Sequence, residues 1–248
     1  MEYVSPEGLR VDGRRPKELR RIQCEVGVLP YADGSASFAM GNTRAIAAVY
    51  GPRPLEAGVA ESPDGCTVRC EFTTASFATS ERRKRRKGDR RSAECAALVR
   101  CAVENSVVRS LLKRSLVDVH VLIEQADGGT RSCAINAAIA AVIDAGIPCV
   151  DVAGAVAAGY LDGTALLDLN YVEDGGNGPD VVVALQPREG RVVVLESDGR
   201  TAVDTLTPVI ALAVEGCRAV AEQTRAALAK AAAQRAALAV TAPKPPGA

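Results

Sequence analysis

The chain has no tryptophan, a single histidine and only eight tyrosines and phenylalanines in 248 residues. Without large rings the core must be aliphatic, and a hydrophobic fraction of 48% supplies it. Eight cysteines are present, but no two form a CxxC pair, and His120 alone could join them. Structural zinc needs closely spaced Cys or His residues, so this pattern argues against it. His120 alternates with Val119 and Val121 in a strand pattern, which reads as a structural position and not as half of a Cys–His catalytic pair. The thiols within apolar runs read as small buried hydrophobes. No apolar run is long enough to span a bilayer. Residues 1–21 are polar and charged, unlike a signal peptide or membrane anchor. These absences point to a soluble intracellular protein, and no repeat of solenoid period interrupts it.

Net charge is absent too, with 30 basic and 30 acidic residues, yet it is unevenly spread. Glu81 to Arg91 (Glu-Arg-Arg-Lys-Arg-Arg-Lys-Gly-Asp-Arg-Arg) holds eight basic and two acidic residues, so this segment carries +6 and the remainder −6. Such a loop suits contact with a polyanion; a solvated loop or a nuclear-import signal would read similarly.

Hydrophobic periodicity orders the rest. Ser35–Met40 and Arg44–Tyr50 flank Gly41-Asn42-Thr43 as a hairpin, and Val68–Thr79 reads as a strand ahead of the basic loop. A helix is expected over Ser92–Leu112, a period-two strand over Val117–Glu124, and a helix over Ser132–Asp144 ending at Gly146 and Pro148. A second unit starts near Asp151: Ala153–Leu161 and Thr164–Asn170 flank Asp162-Gly163, a strong hairpin signal, and Val181–Leu185 pairs with Arg191–Ser197. Thr207 can cap a closing helix with Pro208 at its first position, continuing to about Leu238. The segment Gly8–Arg21 is too charged for a core and is expected to pack along the surface or against a partner. Strands followed by a helix in each half predict an α+β chain of two related lobes.

Two loops carry chemistry. Gln125-Ala126-Asp127-Gly128-Gly129-Thr130-Arg131-Ser132 joins a strand to a helix through glycines. The free N–H groups and positive dipole of the helix start suit a phosphate. Arg131 adds a bidentate fork, and Thr130 and Ser132 add hydroxyls. In the second loop, Asp174 and Asp180 flank Gly175–Pro179 between two strands. Carboxylates so placed can hold Mg²⁺ through its waters or donate a proton to a leaving oxygen; the same residues also make an ordinary turn. Asp168 and Glu173 are weaker candidates, each fitting a strand edge.

Leu9-Arg10-Val11-Asp12-Gly13-Arg14-Arg15 is similar to the opening of exosome ring subunits. Asp89-Arg90-Arg91-Ser92-Ala93-Glu94, Gln125–Arg131 and Asp168-Leu169-Asn170-Tyr171-Val172-Glu173-Asp174 resemble the RNase PH family, in order and in spacing, from about Ser5 to Leu228. The resemblance implies the RNase PH fold, an α+β arrangement with a βαβα core like domain 2 of ribosomal protein S5 and a smaller C-terminal α/β part. It divides the chain into an N-terminal interface arm (1–17), a core domain (18–149) and a C-terminal domain (150–240), followed by a Pro-rich tail (241–248) expected to be disordered.

It further implies a 3′→5′ exoribonuclease of RNA processing, ribosomal RNA included, and of RNA degradation. Inorganic phosphate would be the co-substrate and nucleoside diphosphates the products. Carried over by position, Arg91, Gly129, Thr130 and Arg131 hold phosphate. Arg90, with Arg82, Arg83, Arg85 and Arg86 of the basic loop, holds RNA. Asp174 and Asp180 form the catalytic pair beside Mg²⁺, Asp180 being the general acid. The implied partners are other RNase PH-like subunits in a six-membered ring, RNA-binding cap subunits and single-stranded RNA, with no membrane. The implied location is cytoplasm and nucleus, nucleolus included, in a eukaryote, or cytoplasm in an archaeon. The alternative is a catalytically inactive, RNA-binding scaffold of the same ring.

Overall fold

The alternating and apolar segments of the first half form β1 (Ile22–Val26), β2 (Gly34–Met40), β3 (Thr43–Pro54) and β4 (Thr67–Thr74). After them come α1 (Arg90–Ser106), β5 (Ser115–Gln125) and α2 (Thr130–Asp144). The computed structural model describes residues 3–55, 62, 65–82, 89–176, 178–199 and 201–241. The strands make one sheet in the order β1-β2-β3-β5-β4. Only β4 and β5 run parallel, because α1 carries the chain between them as a crossover. Val117, Val119, Val121 and Ile123 of β5 point into the core.

The second half forms β6 (Gly154–Leu161), β7 (Thr164–Leu167), a short α3 (Tyr171–Asp174), β8 (Asp180–Gln186), β9 (Arg191–Asp198) and the long α4 (Val203–Thr241). Its sheet is antiparallel throughout, in the order β7-β6-β8-β9, and α4 covers it. The fold class is α+β. Between the sheets lies α2, buried at every residue from Ser132 to Val142 and packed on β2, β3 and β6. A helix apolar all round belongs inside, and its alanines let both sheets approach closely. Asn136 is its polar clip: its amide exchanges two hydrogen bonds with the Ala155 backbone, at 2.9 and 2.7 Å, tying the helix to β6.

Several boundaries differ from the periodicity, each for a local reason. The strand expected to reach Thr79 stops at Thr74, and α1 ends at Ser106 because Val107 leaves the helix to bridge Cys149. The strand expected through Asn170 stops at Leu167. Asp168 takes a left-handed φ of 55°, and Asn170 then caps α3 in a reciprocal capping box with Glu173. The closing helix begins at Val203 rather than at a Thr207 cap, and the Thr207 hydroxyl donates back to the Val203 carbonyl. The expected tail lies outside the described residues, apart from Thr241 at the end of α4.

The charged N-terminal segment also differs from expectation, since two of its arginines are buried. Arg10 forks onto the buried carboxylate of Glu173 and donates to the Leu167 and Asp168 carbonyls. Arg20 grips Asp168 through its backbone N–H, Nε and Nη2, at 2.9, 2.9 and 2.7 Å. Charge does not keep these residues outside because each meets a carboxylate and carbonyls that satisfy its fork. The same pairs remove Asp168 and Glu173 from the candidates for catalysis: both are fully buried ion-pair partners.

Asp168→Asn tolerates the left-handed backbone but drops the charge that Arg20 needs. It is expected to destabilise the fold by about 3–5 kcal/mol, measured by urea denaturation, with Asp168→Ala costing more through added backbone strain.

Candidate active site

The glycine loop is built from outside its own segment. The Thr43 hydroxyl donates to the Gly128 carbonyl (2.7 Å) and accepts from the Asp127 N–H (3.1 Å). Arg20, already bound to Asp168, donates to the carbonyls of Asp127 (2.5 Å) and Gly128 (3.3 Å). Asn42 holds one Asp127 carboxylate oxygen, and the other accepts the N–H of Tyr171 at the start of α3. The backbone approach is so close that a Cβ on Gly128 would lie 2.4 Å from the Leu169 carbonyl oxygen. Gly129, at a left-handed φ of 62°, caps α2 without any side-chain bond, so the opening N–H groups of the helix stay available. The N-cap of α1, Asp89, makes no side-chain hydrogen bond to the helix, and no acid follows in the first turn. α1 packs against α2, and at Cys95 burial pushes the thiol up while the charge of Arg131, with that of Arg91 one turn back on the same helix, pulls it down.

The acidic loop meets this helix start through an ion pair. Asp180 opens β8 and its Oδ2 accepts from Arg131 Nη2 at 2.6 Å. Two further carboxylates, both on β9, share that guanidinium: Glu196 on Nη1 at 2.9 Å and Asp198 on Nη2 at 2.8 Å. The other oxygen of Asp180 is buried and, among the described residues, has no hydrogen-bond partner. Burial, with Arg131 opposing and the charges of Asp174 and Asp198 adding, pushes the Asp180 carboxyl up to about 6. Burial works against the charge of Arg131, but its three carboxylates outweigh it and hold the guanidinium more firmly protonated.

Of the residues singled out from sequence, Gly129, Thr130, Arg131 and Asp180 come together at the start of α2, and Arg91 is exposed on the first turn of α1. Asp174 ends α3, exposed, near enough for its charge to act on Asp180. Arg90 is exposed on the first turn of α1 and paired with Glu94 at 2.8 Å. Arg82 is exposed at the border of the basic loop; Arg83, Arg85 and Arg86 lie outside the described residues. Sequence reasoning missed Glu196 and Asp198, although two acids spaced by two at the end of a strand are a legible sign of one acidic face. It also missed Arg20 and Thr43, which support the loop from distant segments.

Among the described residues no group of three or more carboxylates, thiols and imidazoles is arranged for a metal ion. Asp174 and the unengaged oxygen of Asp180 nevertheless fit Mg²⁺, which commonly keeps most of its waters and takes one or two carboxylates.

The model of the 3′ exoribonuclease family, domain 1, matches residues 18–148, and that of domain 2 matches residues 151–216. The exosome complex component RRP41 homolog of Arabidopsis thaliana is 50% identical over 229 residues, 92% of this chain and 95% of that protein. Exosome complex component RRP41 of Homo sapiens is 44% identical, over 88% of this chain and 89% of its own. The Rrp41 component of Thermococcus gammatolerans is 40% identical, over 92% and 91%. Among solved structures, rice (Oryza sativa) Rrp46 superposes with a TM-score of 0.78 at 24% identity, over 88% of this chain and 100% of that one. The Archaeoglobus fulgidus exosome with RNA bound to its active site gives a TM-score of 0.75 at 20% identity, over 88% and 93%. These two likenesses bear on the fold, which is the RNase PH fold.

A carboxyl raised above its ordinary 3.8 binds its proton more tightly in the folded chain than in the unfolded one. Ionised Asp180 therefore costs stability that is absent below pH 4, grows as pH rises to about 6 and reaches roughly 3 kcal/mol above it. Asp180→Asn is expected to unfold at higher denaturant than the unsubstituted chain at pH 7.5, with the advantage gone at pH 4.

Proposed function

Because the chain belongs to the 3′ exoribonuclease family of RNase PH domains, we propose that it acts as a phosphate-dependent 3′→5′ exoribonuclease subunit of an exosome ring. The observation that carries this reading is the Arg131–Asp180 ion pair, which joins the start of α2 to a carboxyl that burial pushes up to about 6.

Inorganic phosphate sits on the first N–H groups of α2, beside the Gly129 turn and the Thr130 hydroxyl, with Arg131 and Arg91 as its cations. One of its oxygens attacks the phosphorus of the last phosphodiester. The bond from that phosphorus to the 3′ oxygen of the preceding nucleotide breaks, and the terminal nucleotide leaves as a nucleoside diphosphate. Asp180 supplies the proton for the departing 3′ oxygen, a role its raised carboxyl suits. Asp174, joined by Asp180 once it has given up its proton, would hold Mg²⁺ through its waters, and the ion would offset charge on the scissile phosphate. Arg90 and the basic loop from Arg82 onward hold the RNA backbone. The Arg90–Glu94 pair is solvent-exposed and weak, so a phosphodiester can replace Glu94. Contacts of this kind read no sequence and weaken with salt.

The relatives are named as exosome components, which supports a ring of RNase PH-like subunits with RNA-binding caps as the setting. The 1–17 arm is read as part of its interfaces. The site of action is inside the cell: cytoplasm and nucleus with its nucleolus in a eukaryote, cytoplasm in an archaeon.

The test uses the chain co-assembled with its ring partners and a 5′-labelled single-stranded RNA. Shortening is expected to require inorganic phosphate and to release nucleoside diphosphates. Asp180→Ala should slow it by about 10²-fold or more without loss of the ring. RNA bound but never shortened by a complete ring would make the chain a scaffold. In the same assembly, Arg90→Glu is expected to weaken RNA retention about equally across sequences and to flatten its salt dependence, checked by filter binding at several salt concentrations.

A further inference from the structure

The arginine assigned to phosphate is already occupied. Register places Asp180 directly across from Asp198 and Val182 across from Glu196, so the three carboxylates share one face of the β8–β9 edge. Like charges directly opposite destabilise a strand pair, and Arg131 is the cation that makes the arrangement tolerable. Its donors are unequally committed. Nη2 serves two carboxylates, Asp180 at 2.6 Å and Asp198 at 2.8 Å, whereas Nη1 serves Glu196 at 2.9 Å. A guanidinium grips an anion with two parallel N–H groups along either of two edges, and both edges use Nη2. A bidentate hold on phosphate therefore requires Nη2 to release a carboxylate.

The two β9 acids differ in how easily they can go. Asp198 is the last residue of its strand and its side chain is 63% exposed; Glu196 lies within the strand at 30%. We propose that Glu196 is a positioning residue for phosphate, anchoring Arg131 through Nη1, and that Asp198 is a placeholder which leaves Nη2 when phosphate arrives. The inference rests on the phosphorolytic reading above and adds two residues to it. Phosphate entry is then an exchange of one anion for another on a guanidinium that does not turn. Glu196 keeps the fork aimed while the opening N–H groups of α2 take the remaining oxygens.

The two residues give opposite signs on substitution. In the assembled ring, Glu196→Ala is expected to weaken binding of inorganic phosphate roughly tenfold, with the loss falling on the phosphate KM more than on kcat. Glu196→Gln, which keeps an acceptor for Nη1, should recover most of it. Asp198→Asn should tighten phosphate severalfold, because a charged competitor is gone. Phosphate affinity is read by isothermal titration calorimetry and, separately, as KM in RNA shortening. If both Glu196→Ala and Asp198→Asn tighten phosphate, only the removal of negative charge matters and the anchor is overturned. If both weaken it, the acids merely support the strand edge and the proposal is overturned as well. Opposite signs in calorimetry without RNA shortening by the unsubstituted ring would uphold the anchor and sink the phosphorolytic reading. An unsubstituted ring that binds no phosphate would overturn both.

Discussion

The buried carboxylate of Asp168 and the guanidinium of Arg20 hold the site together. Asp168 sits just past the end of β7 in a left-handed turn, fully out of water, where an unpaired charge would cost several kcal/mol. Arg20 neutralises it from the segment ahead of β1, and the same guanidinium reaches the carbonyls of Asp127 and Gly128. One side chain thus ties the N-terminal segment, the second sheet and the glycine loop into a single arrangement. Drawing those two carbonyls toward Arg20 leaves the loop's backbone to enter α2 through two left-handed glycines with its opening N–H groups uncommitted.

The central helix leaves only one of its ends with free donors near polar side chains. α2 is buried along its length between the two sheets, so its apolar residues cannot serve a soluble ligand. Its first turn is the place where a helix offers unpaired donors and the positive end of its dipole. β8 begins beside that turn, with Asp180 as its first residue, and α3 ends nearby with Asp174. Arg131 and Asp180 meet because two helix–strand boundaries from different halves of the chain are brought to one edge. Negative charge is in excess at that edge: three carboxylates surround one arginine, and the least solvated of them keeps its proton to an unusually high pH.

Much of this was legible beforehand. The 2-residue alternation of Val117 to Ile123 reports a side-chain period that local geometry imposes, the Ala/Ile-rich stretch after Ser132 reports a helix by its composition, and both elements are present. Glycines beside Thr130 and Arg131 announce a strand-to-helix turn with anion-binding potential. Less legible were boundaries set by a distant partner. The turn at Asp168 and the short helix after Asn170 replace an expected strand because Arg10 and Arg20 stabilise carboxylates there. Those arginines looked like surface charge, since nothing in their own neighbourhood shows the acids they meet.

The sequence by itself determined the elements, the glycine turn and the residue types able to handle phosphate, because propensity, periodicity and turn chemistry act over a few neighbouring positions. Tertiary structure alone decided which charges are buried and which are free. It buried Arg10 and Arg20, retired Asp168 and Glu173 from chemistry, and set Glu196 and Asp198 against Arg131 from a strand about 65 residues further along the chain. The energy of a charge depends on what surrounds it in space and on its distance from water, and neither is a property of its place in the chain.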